Sequence, residues 1–101
     1  MEKLNSSNFN KVKECEFCVV DFSATWCAPC RMLKPIMEDI EVLLKDTAFY
    51  NVDVDECEDI AREYKIFSIP TILIFKNGQV VDTMVGLGTQ DEIIEFINKN
   101  R

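Results

Sequence analysis

The chain alternates between segments whose apolar residues recur at helical spacing and short runs that are apolar almost throughout. The longest helical pattern runs from Pro29 to about Lys45, where Leu33, Ile36, Met37, Ile40, Leu43 and Leu44 form one stripe. Pro29 suits the first turn, where its missing N–H costs nothing, and Pro35 lies inside and should bend the helix. Before it, Glu16–Ser23 is apolar without clean alternation, the pattern of a central strand covered on both faces, and Asp21 interrupts it. Met1–Leu4 predicts a short edge strand, and Ser6 or Ser7 should cap a short helix carrying Phe9 and Val12 on one face.

Ala48–Asp55 reads as a further strand, followed by Cys57, Ile60, Ala61 and Tyr64 at helical spacing. Thr71–Phe75 and Gln79–Val85 flank Asn77-Gly78, the dipeptide of tight hairpins, and should run antiparallel. Thr89-Gln90-Asp91-Glu92 matches a capping box, and Ile93, Ile94, Phe96 and Ile97 give the last helix its apolar face. Lys99 and Arg101 then sit near its negative end. The order β-α-β-α-β-α-β-β-α predicts an α/β fold: parallel strands with helices on both faces, closed by an antiparallel hairpin.

Composition narrows the function more than the fold. A chain of 101 residues has room for one domain, here 1–101, with one core. Its net charge of -7, from 18 acidic and 11 basic residues, disfavours nucleic acid and anionic membranes as partners. No apolar run is long enough to span a bilayer, and Met1–Asn5 does not resemble a secretory signal. The absence of histidine removes Cys-His catalysis and most metal sites. Five cysteines, an odd number, in a chain with enough apolar residues to fold unaided fit a reducing, cytoplasmic setting.

The chemistry concentrates between Cys18 and Pro35, where Cys27 and Cys30 stand three apart at the start of a helix. Helix neighbours at that spacing can close and open a disulfide with modest adjustment. Cys27 precedes the first turn, where unpaired N–H groups and the helix dipole favour a thiolate, whereas Cys30 should be more buried and keep its proton. The spacing C-x2-C-x8-C-x2-C from Cys15 to Cys30 also raises a four-cysteine metal site. Cys15 and Cys18 fall at the start of the strand, however, where positions three apart point to opposite faces and argue against that site. Cys18 and Cys57 read as core thiols, and Cys15 as partly exposed.

Taken together, Val20-Asp21-Phe22, Trp26-Cys27-Ala28-Pro29-Cys30-Arg31, Pro35, Val52-Asp53-Val54-Asp55, Ile69-Pro70-Thr71, Phe75-Lys76-Asn77-Gly78 and Val85-Gly86 closely resemble the thioredoxin family, over essentially the whole chain. The resemblance implies a thioredoxin fold, a mixed sheet of four to five strands flanked by four helices. It implies a monomeric protein-disulfide reductase without a bound cofactor or metal: Cys27 attacks a client disulfide, Cys30 resolves the mixed disulfide, and a thioredoxin reductase restores the dithiol. Asp21 would be buried behind the pair as general base for Cys30, Pro70 would be cis against it, and Trp26, Ala28, Pro29, Ile69 and Gly86 would line a client groove. Three positions depart from the family pattern: Ala28 for glycine, Ser23 for tryptophan, and Asn51 where many members carry lysine. A dedicated electron donor to one enzyme and a non-catalytic binding subunit are the competing expectations.

Overall fold

The central strand of the frame is β2, Phe17–Ser23, with strands paired to it on both sides. The computed structural model describes residues 1–101. In chain order the elements are β1 (Glu2–Leu4), α1 (Asn10–Glu14), β2, α2 (Ala28–Leu43), β3 (Ala48–Asp53), α3 (Glu58–Glu63), β4 (Thr71–Lys76), β5 (Gln79–Val85) and α4 (Gln90–Asn98). They form one five-stranded mixed sheet in the order β1-β3-β2-β4-β5.

Alternation along β2 divides the core into two layers. Cys18, Val20 and Phe22 face the layer filled by Phe9 and Val12 of the α1 region and Ile60 of α3. Val19 faces the other, with Leu33, Met37 and Ile40 of α2 and Ile93, Phe96 and Ile97 of α4. Asp21 shares the second face by the same alternation, which places a carboxylate beneath α2.

β1 and β2 run parallel to β3, but β4 already runs antiparallel to β2, one element earlier than the hairpin. The sixteen residues of α2 span about 24 Å and return the chain to the far end of the sheet. The connection through the six-residue α3, about 9 Å long, does not recross the sheet: β4 starts at the end where β3 stopped, with Thr71 beside Phe22.

Other boundaries shift for local reasons. Neither Ser6 nor Ser7 caps α1, whose N-cap Phe9 makes no side-chain bond. Asn5 organises the preceding turn instead, its Oδ1 accepting from the Ser7 N–H at 2.9 Å. Leu43 is exposed, because the chain leaves the helix at Leu44, which folds onto the core in its place. The Thr89–Glu92 capping box forms as expected. Lys99 reaches Asp82 at 3.6 Å and Arg101 reaches Asp46 at 3.4 Å, so both side chains tie the C-terminus to neighbouring elements.

The β4–β5 turn is tight on both sides. Asn77 and Gly78 have φ of 52° and 79°, the left-handed pair of a hairpin. A Cβ on Gly78 would stand 2.9 Å from the main-chain oxygen of Lys13. Gly78→Ala is therefore expected to cost about 1–3 kcal/mol, read as a lower midpoint in urea denaturation with an unchanged slope.

Candidate active site

Residues 24–27 carry the chain from the end of β2 into α2, and Cys27 is the N-cap of that helix. Cys27 and Cys30 are joined by a disulfide, with Cα atoms 5.3 Å apart. The Cys30 N–H donates to Cys27 Sγ at 3.3 Å, so sulfur fills a place at which a serine or aspartate oxygen commonly caps a helix. When the bridge is open, that N–H and the positive end of a sixteen-residue helix favour negative charge on Cys27.

Burial does not separate the two cysteines: they are 5% and 3% exposed, enclosed by Ala24, Val54 and Ile69. This corrects the expectation that greater burial would set Cys30 apart from Cys27. What separates them is direction. Cys27 Sγ lies 3.9 Å from the main-chain oxygen of Ile69, whereas Cys30 lines a polar cleft of about 280 Å³ together with Asp21. Ser23, Asn51, Lys3 and Lys34 also line it.

Asp21 is 1% exposed, and its Oδ1 has no hydrogen-bond partner. Burial pushes its pKa from 3.8 up to about 7. Asn51, its neighbour across the strand pair, offsets only part of this. Its amide donates to the main-chain oxygen of Asp21 at 3.1 Å and to Ser23 Oγ at 2.9 Å.

The expected groove residues are gathered at the same end. Trp26 is 67% exposed, and Ala28 and Pro29 are exposed beside it. The Ile69–Pro70 peptide is cis, and the Gly86 N–H donates to the Pro70 carbonyl at 2.9 Å. Asp55 was not singled out by its chemistry, yet its carboxylate accepts from Trp26 Nε1 at 2.7 Å and holds the indole on the surface. Its signal was the acidic residue within Val52–Asp55. Lys3 and Lys34 at the cleft carried no motif, since only folding brings β1 and α2 to Asp21.

One expectation about the remaining thiols is overturned. Cys15 precedes β2, and a bend at Glu16 separates it from the strand. It therefore packs on the same core layer as Cys18 rather than on the opposite face. The two thiol pairs still stand at opposite ends of β2, too far apart to bind one ion. Cys18 and Cys57 are buried, as expected.

Comparison with known proteins agrees with this geometry. The thioredoxin family model matches residues 1–99. The chain belongs to the thioredoxin family. It is 38% identical to thioredoxin H3 of Arabidopsis thaliana over 99% of its length and 80% of that protein. It is 47% identical to a thioredoxin of Rickettsia bellii over 81% of its length and 79% of that protein. The structure of Plasmodium falciparum thioredoxin matches with a TM-score of 0.93 at 30% identity, each chain covered completely. Mitochondrial thioredoxin 3 of Saccharomyces cerevisiae matches with a TM-score of 0.89 at 34% identity, over 98% of this chain and 94% of that one. This thioredoxin-family chain is thus a protein-disulfide reductase with a redox-active disulfide, Cys27–Cys30. Thioredoxin is itself a standard instance of a thiol whose pKa is lowered in a C-x-x-C pair.

The carboxyl of Asp21 has a stability consequence. The folded chain holds its proton up to about pH 7, where the unfolded chain has already lost it above 3.8. The cost of burying the charge is therefore absent below pH 3.8, grows up to about 7 and is constant above. Asp21→Asn is expected to stabilise the protein by a few kcal/mol at pH 8, about 4 at most. The gain should shrink as pH falls toward 5, read by urea denaturation at each pH. Asn51→Lys would place a cation across the strand pair and lower the Asp21 titration by about one pH unit or more, followed by carboxylate NMR.

Proposed function

We propose that Cys27 is the nucleophile, Cys30 the resolving thiol and Asp21 the base that takes the Cys30 proton. The observation that carries this reading is the shared cleft: Cys30 and the unpaired, buried Asp21 carboxyl line one cavity, while Cys27 Sγ faces Ile69. Cys27 thiolate attacks one sulfur of a client disulfide, and the client's other sulfur leaves as thiolate and takes up a proton. Cys30 gives its proton to Asp21 and attacks Cys27 sulfur. The client's second thiolate leaves, and the Cys27–Cys30 bridge forms. With a pKa near 7, Asp21 accepts the proton and then releases it to the cleft, which has room for water.

Trp26, Ala28, Pro29, Ile69, Pro70 and Gly86 form the surface that holds the client chain. The cis Ile69–Pro70 segment presents main chain beside Cys27, which suits a client segment laid down as an added strand. Ala28, the first residue of α2, stiffens the turn relative to glycine without strain. A thioredoxin reductase returns the dithiol. The three free thiols, Cys15, Cys18 and Cys57, suit a reducing compartment such as the cytoplasm.

Cys30→Ser should lose reduction of insulin disulfides by dithiothreitol and accumulate clients bound to Cys27. Full insulin reduction by that variant would overturn the assignment. Many trapped clients would identify a general reductase, and one a dedicated donor. Asp21→Asn should slow resolution of a preformed mixed disulfide at pH 7 by about 10²-fold while changing the first attack far less. Rapid-mixing rates that fall equally in both steps would remove Asp21 from the proton path.

A further inference from the structure

Strand β2 has a C-x2-C thiol pair at each end, and the disulfide-reductase cycle uses only one of them. At the other end, Cys15 leaves α1 in an extended conformation and is half-buried, whereas Cys18 is buried completely. The bend at Glu16 turns both side chains toward one core layer, which also receives Tyr50. Cys15 Sγ lies 3.6 Å from the Tyr50 hydroxyl, and Cys18 Sγ lies 4.0 Å from the main-chain oxygen of Val12 in α1. Cys15 adds to the upward pKa shift of both the Cys18 thiol and the Tyr50 hydroxyl. The arrangement is that of a half-buried thiol and a fully buried one, three residues apart, packed on the same core layer. The surrounding structure can yield, because α1 has only five residues and no side-chain N-cap.

We propose that Cys15 and Cys18 form a second, peripheral redox pair, in which Cys15 is oxidised by a peroxide or a small-molecule disulfide and Cys18 converts that oxidation into a Cys15–Cys18 bridge. With a peroxide, Cys15 sulfur attacks the O–O bond. The sulfur is oxidised to a sulfenic acid, and the peroxide is reduced to water or an alcohol. Cys18 sulfur then attacks Cys15 sulfur, and the hydroxyl group leaves with the Cys18 proton as water. With a small disulfide, Cys15 forms a mixed disulfide and releases one thiol, and Cys18 displaces the other. Either route removes two electrons from the pair.

The five residue steps from Cys18 to Ser23 span about 17 Å, so Cys27 of the same molecule does not reach this bridge. A Cys27 thiolate from a second molecule, or a small thiol, can attack it at the Cys15 side. Burial and the neighbouring Cys15 raise the Cys18 pKa to about 12, so closure is slow at neutral pH and accelerates with alkalinity. A closure rate independent of the concentration of chain and of added thiol separates Cys18 as attacking group from any outside thiol.

The test uses the full reduced chain, exposed in parallel to hydrogen peroxide and to oxidised glutathione. Remaining thiols are then alkylated under denaturing conditions, and the chain is cleaved after Glu16 and after Asp21, which separates Cys15, Cys18 and the Cys27–Cys30 pair onto three peptides. The expected product is a pair of peptides joined through Cys15 and Cys18, in addition to the Cys27–Cys30 bridge. Cys15→Ser should lose the joined pair and keep Cys27–Cys30. Cys18→Ala should stop at a Cys15 glutathione adduct. When a Cys15 glutathione adduct is prepared first, closure should rise about tenfold per pH unit between 7 and 9. Four results would overturn the proposal: a stable Cys15 adduct or sulfinic acid with Cys18 free in the unmutated chain, a bridge from Cys15 to a second chain, no oxidation at Cys15 while Cys27 and Cys30 are oxidised, or a closure rate flat with pH.

Discussion

Helix α2 is seated on the end of the central strand with a sulfur atom as its cap, and the site depends on that seat. The first turn of any helix leaves N–H groups without partners, and here the Cys30 N–H is directed at Cys27 Sγ. A redox-active sulfur thereby occupies a structural position, and the same dipole that orients the helix favours its charge. Because β2 is paired on both sides, its end is met by β3 on one flank and β4 on the other. β3 leads into Asp53–Asp55, which fixes Trp26, and the approach to β4 brings Ile69 to Cys27. Were β4 parallel to β2, its first residues would lie at the opposite end of the sheet. The antiparallel entry of β4 is therefore part of the active site, although no residue of α3 touches the disulfide cluster.

Asp21 is the cost attached to this arrangement. A charged carboxylate in a β-strand beneath an apolar helix is disfavoured by desolvation, and neither Asn51 nor any other donor satisfies Oδ1. A penalty of a few kcal/mol is large against the roughly 5–15 kcal/mol that hold a domain together. The two apolar layers on either side of the sheet offset it. Lys3, Arg31 and Lys34 around the cleft keep its opening polar, so the carboxyl is hidden from bulk solvent without being sealed from proton exchange.

The thiols outside the active site divide by environment rather than by spacing. Cys57 and Cys18 behave as small core residues, each with its sulfur about 4 Å from a main-chain oxygen, at 3.9 Å and 4.0 Å. Cys15 differs only because α1 ends one residue before it and the chain bends at Glu16. An identical C-x2-C spacing thus yields a helix-capping disulfide at one end of β2 and a pair of separate thiols at the other.

Much of this protein was legible along the chain, because its helices and strands are set by local periodicity. The stripe through Leu33, Met37 and Ile40, the Thr89–Glu92 box and the Asn77-Gly78 turn each depend on neighbours a few residues away, and each formed as read. Cys27 and Cys30 were legible for the same reason, since their spacing and Pro29 place them at a helix start. Other features required residues distant in sequence to meet. The antiparallel entry of β4, the packing of Cys15 and Cys18 on one core layer, the anchoring of Trp26 by Asp55 and the near-equal burial of the two active cysteines all belong to this class. Periodicity determines which face a side chain takes on its own element. What that face meets, and so which carboxyl loses its water and which sulfur is covered, is decided only when the elements close on one another.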